Sequence, residues 1–148
     1  MRELTMNLYT IGFTKHTSEE FFEKLKSSGV KRVIDIRINK TSQLAAFAKG
    51  SDLPYLLKAT GGIGYLSHSE LAPTKELLKS YRSKEITWEE FEKRYKKQIK
   101  DSKAIFGLNK SDFYDACLLC SEETAEKCHR RLLAEELAQI WDLEIIHL

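Results

Sequence analysis

Ala116-Cys117-Leu118-Leu119-Cys120-Ser121-Glu122-Glu123-Thr124-Ala125-Glu126-Lys127-Cys128-His129-Arg130-Arg131 is the stretch that decides how the chain is read. Its first five residues form an apolar run of strand length. Its end opens a helical rhythm, in which Cys128, Leu132, Leu133, Leu137 and Ile140 return every three to four positions. A buried strand that turns straight into an amphipathic helix is part of a βαβ unit. The spacing predicts a strand over Asp115–Cys120, a long helix over Thr124–Trp141 and a closing strand over Leu143–Leu148.

The opening of the chain repeats that pattern. Met6 to Ile11 is β-prone and Gly12 stops it. Thr17 and Glu20 have capping-box spacing, so a helix follows with Phe21, Phe22 and Leu25 inward and Gly29 as its stop. Val33-Ile34-Asp35-Ile36-Arg37 is the next strand. A strand, a short helix and a second strand imply parallel pairing and a right-handed crossover.

Between the two units the signals are shorter. Gln43–Lys49 suits a short helix, and Pro54 suits a first helical position within Ser51–Ala59. Gly61-Gly62-Ile63-Gly64 is a tight turn before a short strand over Gly64–Ser67, and it lacks the spacing and Lys of a phosphate-binding loop. Pro73 and Thr74 open a helix carrying Leu77, Leu78 and Tyr81. Thr87 and Glu90 cap another, whose inward stripe is Trp88, Phe91, Tyr95 and Ile99. Asp101–Ser111 reads as a loop. The sum is a single α/β domain over residues 1–148, three-layered and Rossmann-like, with a mostly parallel sheet of about five strands.

A length of 148 residues and 42% hydrophobic composition fit a globular domain with a true core. No apolar run approaches the roughly 20 residues of a membrane helix, and the start lacks a signal-peptide pattern, so a cytoplasmic protein is expected. Three cysteines in such a chain read as free thiols. The net charge of +2 names no partner. The segment Lys75–Lys103 is more basic, with ten Lys or Arg against six Asp or Glu. It can meet phosphates, or it is a solvated helix face of mixed charge.

In a parallel sheet, ligands gather at the carboxyl ends of the strands. The candidates there are Thr10 and Gly12 after strand one, Asp35 and Arg37 at strand two, His68 and Glu70 near strand three, and Cys120, Ser121 and Glu122 after strand four. Asp35 and Arg37 are two apart and share a face: either a structural ion pair, or a general base with an anion clamp. Cys120 stands where a nucleophile would, or is an inert buried thiol. A phosphatase loop would need Arg at position 126, which is Glu126. Adjacent Cys128 and His129 diverge by about 100° on a helix, an awkward geometry for one metal ion, so no metal and no cofactor are expected. His129 is a candidate proton donor, Arg130 an anion contact, Ser121 a ligand contact and Glu122 an acid/base group.

Thr10-Ile11-Gly12-Phe13, Asp35-Ile36-Arg37 and Cys120-Ser121-Glu122 with Cys128-His129-Arg130 together resemble the signature of the family catalogued as domain of unknown function 488. The resemblance spans essentially the whole chain, and its last block is the most specific. It implies a compact Rossmann-like α/β domain with a polar pocket, and no particular reaction.

Three functions fit these residues. The first is a hydrolase-like enzyme acting on a nucleotide-like small molecule or nucleic acid, by glycosidic or phosphoester cleavage. In it Asp35 or Glu122 handles protons, while Arg37 and Arg130 hold an anion. The second is a non-catalytic nucleotide- or RNA-binding regulatory domain. The third is a redox-sensing thiol protein built on Cys120.

Overall fold

The computed structural model describes residues 6–13, 16–37, 52–120 and 128–148. Within them the chain runs β1 (Met6–Gly12), α1 (Ser18–Ser27), β2 (Arg32–Asp35), α2 (Leu53–Gly61), β3 (Gly64–Ser67), α3 (Lys75–Arg82), α4 (Trp88–Ser102), β4 (Ala116–Cys120), α5 (His129–Ile140) and β5 (Leu143–His147). The sheet has five strands in the order β3-β2-β4-β1-β5, and every pairing is parallel. The three-layer α/β fold expected from the sequence is the one observed.

Neighbouring residues of a strand point to opposite faces, and here that splits the core in two. Leu8, Ile34, Ala116 and Leu118 join the core beneath α3, α4 and α5, with Phe91, Tyr95, Leu132 and Leu137. Tyr9, Ile11, Val33, Cys117 and Leu119 join the core beneath α1 and α2, with Phe21, Leu25, Leu53 and Leu57. Cys117 is thus a packing residue, as the alternation predicts. β4, fully buried along its length, is the central strand of the sheet.

The helix starts are set by their caps. Thr17, Thr74 and Thr87 each accept a backbone N–H three residues on, from Glu20, Leu77 and Glu90. Each such cap stabilises its helix by about 1 kcal/mol. Gly29 follows α1 with φ +79°, and Gly62 ends α2 with φ +64°, conformations that glycine adopts without steric cost.

β2 and α2 are shifted by one or two residues from expectation, and two differences are larger. The last helix does not run unbroken from Thr124, because Cys128 is extended (φ −140°, ψ 143°) and caps α5 through its sulfur. Cys128 is therefore a cap rather than a member of the helix's buried side, and Ile140 is 55% exposed. The presumed loop over Asp101–Ser111 holds the end of α4 and two short 3₁₀ turns, Ala104–Gly107 and Lys110–Phe113, the second seating the buried Phe113 under the sheet. The helix expected over Gln43–Lys49 lies outside the described residues, as does Thr124. No helix among the described residues is long and apolar enough to cross a membrane.

Candidate functional site

The connections define where a ligand can enter. β1 and β2 lead into α1 and α2 on one face, whereas β4 leads into α5 on the other. The carboxyl end of β4 is flanked by two strands whose chains leave the opposite way. That is the topological switch point, the place where open α/β sheets bind ligands. Cys120 is the last residue of β4 and sits there, with no exposed surface.

On the α5 side, Cys120 meets the start of the helix. Its Sγ lies 2.6 Å from Cys128 Sγ and 2.9 Å from Arg130 Nη1. The Arg130 backbone N–H donates in turn to Cys128 Sγ at 3.5 Å. Burial works against the Arg130 charge, but the Cys120 and Cys128 sulfurs outweigh it, so its pKa ends above the ordinary value. Burial first, then the hydrogen bond and charge of Cys120, push the Cys128 thiol well up.

His129 also faces this side. Its Nε2–H donates to the Ile36 carbonyl at 3.1 Å, tying α5 across to the end of β2. Its ring meets Tyr95 edge-on. Burial lowers the His129 pKa to about 4; the bond to Ile36 opposes this, while Arg130 and Arg82 add to it. It is thus a neutral structural donor at neutral pH. Thr10, on neighbouring β1, is hydrogen-bonded to His147 of β5, whose pKa is also lowered, by burial and then by Arg130.

Asp35 and Arg37 belong to the other face. Arg37 Nε and Nη2 donate to Asp35 Oδ1 and Oδ2 at 2.9 and 2.8 Å, and the Arg37 backbone N–H reaches Oδ1 at 3.1 Å. Tyr65 O–H donates to Oδ2 at 2.6 Å. Burial, then Asp35, drive the Tyr65 pKa well up. The Arg37 guanidinium also lies over the Phe13 ring. Phe13 and Tyr65 are part of the α1–α2 core. The candidate residues therefore form two groups on neighbouring strand ends, divided by the sheet, rather than one shared hollow. Gly12 gives its carbonyl to His16 Nδ1 at 2.7 Å. Ser121 and Glu122 lie outside the described residues.

A family description, Domain of unknown function DUF488, matches residues 17–137. The chain belongs to this family. No curated protein and no solved structure matches it. The match takes in β2, β3, β4 and most of α5, and with them Asp35, Arg37, Tyr65, Cys120, Cys128 and Arg130 of this DUF488 protein.

Sequence reasoning missed several parts of these clusters. Tyr65 is one; its register two residues before Ser67, the partner of Asp35, places it on the Asp35 face. His147 is another, paired directly with Thr10 in the sheet. The role of Cys128 as a thiol partner was hidden by reading it as helical. His68 and Glu70, noted at the end of β3, form a pair through Nδ1 and Oε1 at 2.6 Å, and the His68 ring stacks on Phe113. In the basic middle segment, Arg94–Glu90 and Lys96–Glu92 pair along α4, as on a solvated face of mixed charge.

Proposed function

We propose that this chain carries a thiol-dependent function centred on Cys120. One observation carries the reading: the Cys120 sulfur, at the switch point of the sheet, is approached by both the Arg130 guanidinium and the Cys128 thiol. A guanidinium can only donate, and burial pushes the Cys128 thiol toward its protonated form, which in this reading makes Cys120 the acceptor of both. A sulfur that accepts two such bonds is favoured as thiolate, the nucleophilic form. Burial restricts the reagents to small electrophiles. Of the three functions that fit the sequence, this geometry favours the thiol-based one.

The test is alkylation at neutral pH. Iodoacetamide, mapped by peptide mass, is expected to label Cys120 ahead of Cys117, with labelling slowed in Arg130→Met. Labelling no faster than for Cys117 would reduce Cys120 to a packing residue.

A second reading rests on Arg37. Its bonds to Asp35 use Nε and Nη2, while Nη1 takes no part in them. With Phe13 and Tyr65 beside it, Arg37 fits a flat, anionic, nucleotide-like ligand or a nucleic acid. In that reading Asp35 spends both oxygens on Arg37 and Tyr65 and acts by positioning. Proton transfer in glycosidic or phosphoester cleavage would then fall to Glu122. Nucleotide binding lost in Arg37→Ala and weakened steeply by salt would support it; binding indifferent to both would remove it.

A further inference from the structure

Cys120 and Cys128 are set apart from the third cysteine. Cys117 points into the α1–α2 core, where its Sγ meets the Leu118 carbonyl at 3.8 Å. Cys120 and Cys128 come from opposite ends of one connection, the end of β4 and the cap of α5, and their sulfurs face each other at 2.6 Å. Both are almost without exposed surface. The Arg130 guanidinium stands closer to Cys120, at 2.9 Å, than to Cys128, at 3.8 Å, and Cys128 is the thiol pushed toward its protonated form. An attacking thiolate with a resolving thiol in contact is the arrangement that dithiol–disulfide chemistry requires.

Resting on the thiol reading above, we infer that Cys120 and Cys128 form a reversible disulfide, with a small hydroperoxide as oxidant, Cys120 as the attacking sulfur and Cys128 as the resolving one. The Cys120 thiolate attacks the terminal oxygen of the hydroperoxide. An S–O bond forms and the O–O bond breaks. The leaving oxygen takes a proton and departs as water or an alcohol. Cys120 is oxidised by two electrons to the sulfenic acid, and the peroxide is reduced by the same two. Cys128 then attacks the Cys120 sulfur. The S–S bond forms, the S–O bond breaks, and the hydroxyl leaves as water with the Cys128 proton. An external dithiol reverses the change by exchange.

The Arg130 guanidinium gives this chemistry a consequence. Arg130 has no exposed surface and sits in the first turn of α5. Oxidation replaces the charged sulfur that it serves with a neutral disulfide. Weakening a buried charge pair in this way destabilises its surroundings. Oxidation therefore loosens the start of α5 at the switch point, and the His129 bond to β2 lies in the same turn.

The experiment uses the full chain. Reduced protein is treated with hydrogen peroxide, unfolded in an alkylating reagent, and weighed intact. The expected result is loss of the Cys120 and Cys128 adducts, retention of the Cys117 adduct, and recovery of all three on treatment with dithiothreitol. In Cys128→Ser, dimedone is expected to trap a sulfenic acid at Cys120; in Cys120→Ser, it is expected to trap nothing at Cys128. Cumene hydroperoxide, bulkier, is expected to react more slowly than hydrogen peroxide. Trapping at Cys128 instead, or a disulfide involving Cys117, overturns the assignment. A Cys120 that alkylates rapidly with iodoacetamide but keeps its thiol under peroxide overturns this inference while leaving the thiol reading intact. A Cys120 inert to both reagents ends both.

Discussion

Arg130 Nη1 stands 2.9 Å from Cys120 Sγ, and neither residue reaches solvent. The contact joins the first turn of α5 to the last residue of β4 at the switch point.

A buried charge and its acceptor are energetically coupled. Removing one partner leaves the other in a dry site, a loss of about 3–5 kcal/mol for a true buried ion pair. Cys120→Ala and Arg130→Met are each expected to destabilise the protein strongly. The double variant is expected to cost less than the two added together, with a coupling energy in the range of about 0.5–3 kcal/mol. Urea unfolding of the four proteins measures it. Strict additivity would mean that the two side chains merely lie side by side.

The Asp35 carboxylate is the hub of the other cluster, accepting from Arg37 three times and from Tyr65 once. Asp35→Asn leaves the Arg37 guanidinium without its counter-charge and is expected to cost about 3–5 kcal/mol. Tyr65→Phe removes one hydrogen bond to a charged acceptor, worth about 1.5–3 kcal/mol. The order of the two losses in chemical denaturation is the check; a larger loss for Tyr65→Phe would reverse the assignment of the hub.

His129 makes stability depend on pH. Its pKa is about 4 in the folded chain. An unfolded histidine titrates near 6.5. Between those values the unfolded chain binds the extra proton, so stability is full above about pH 6.5 and falls as pH drops toward 4. After allowance for the partial exposure of His129, the loss is on the order of 2 kcal/mol. Other groups titrate in this window, so the readout is the difference between wild type and His129→Gln. That difference should shrink from pH 7 to pH 4.5. A difference that holds constant with pH would show that the ring is not buried neutral.

Lys103 ends α4 in the left-handed region, at φ +57°. A side chain there carries a steric penalty that glycine avoids, on the order of 1 kcal/mol. Lys103→Gly is expected to raise the thermal midpoint, the flexibility of glycine in the unfolded chain reducing the gain. A lower midpoint would mean that the Lys103 side chain contributes more than its backbone costs.

Much of this was legible because it is local. Thr17 and Thr87 are legible as caps from their spacing to a glutamate three positions on, and each makes that bond. The apolar run Ala116–Cys120 and the β-prone segment Met6–Ile11 placed two of the strands, since each is a short run of strand length. Cys128 was misread for the same reason. Leu132 and Leu133 extend a helical rhythm backward, whereas Cys128 is extended and caps the helix, its sulfur facing that of Cys120.

The sequence by itself determined the three-layer α/β fold and the positions of Asp35 and Cys120 at the carboxyl ends of their strands. Those follow from periodicity and capping, which act over a few residues. Only the tertiary structure decided that Asp35 and Arg37 face the α1–α2 side while Cys120 faces Arg130 of α5. The face of a residue beyond a strand's end depends on strand order and on where each crossover lies, and both are set by the packing of the whole sheet rather than by any segment of it.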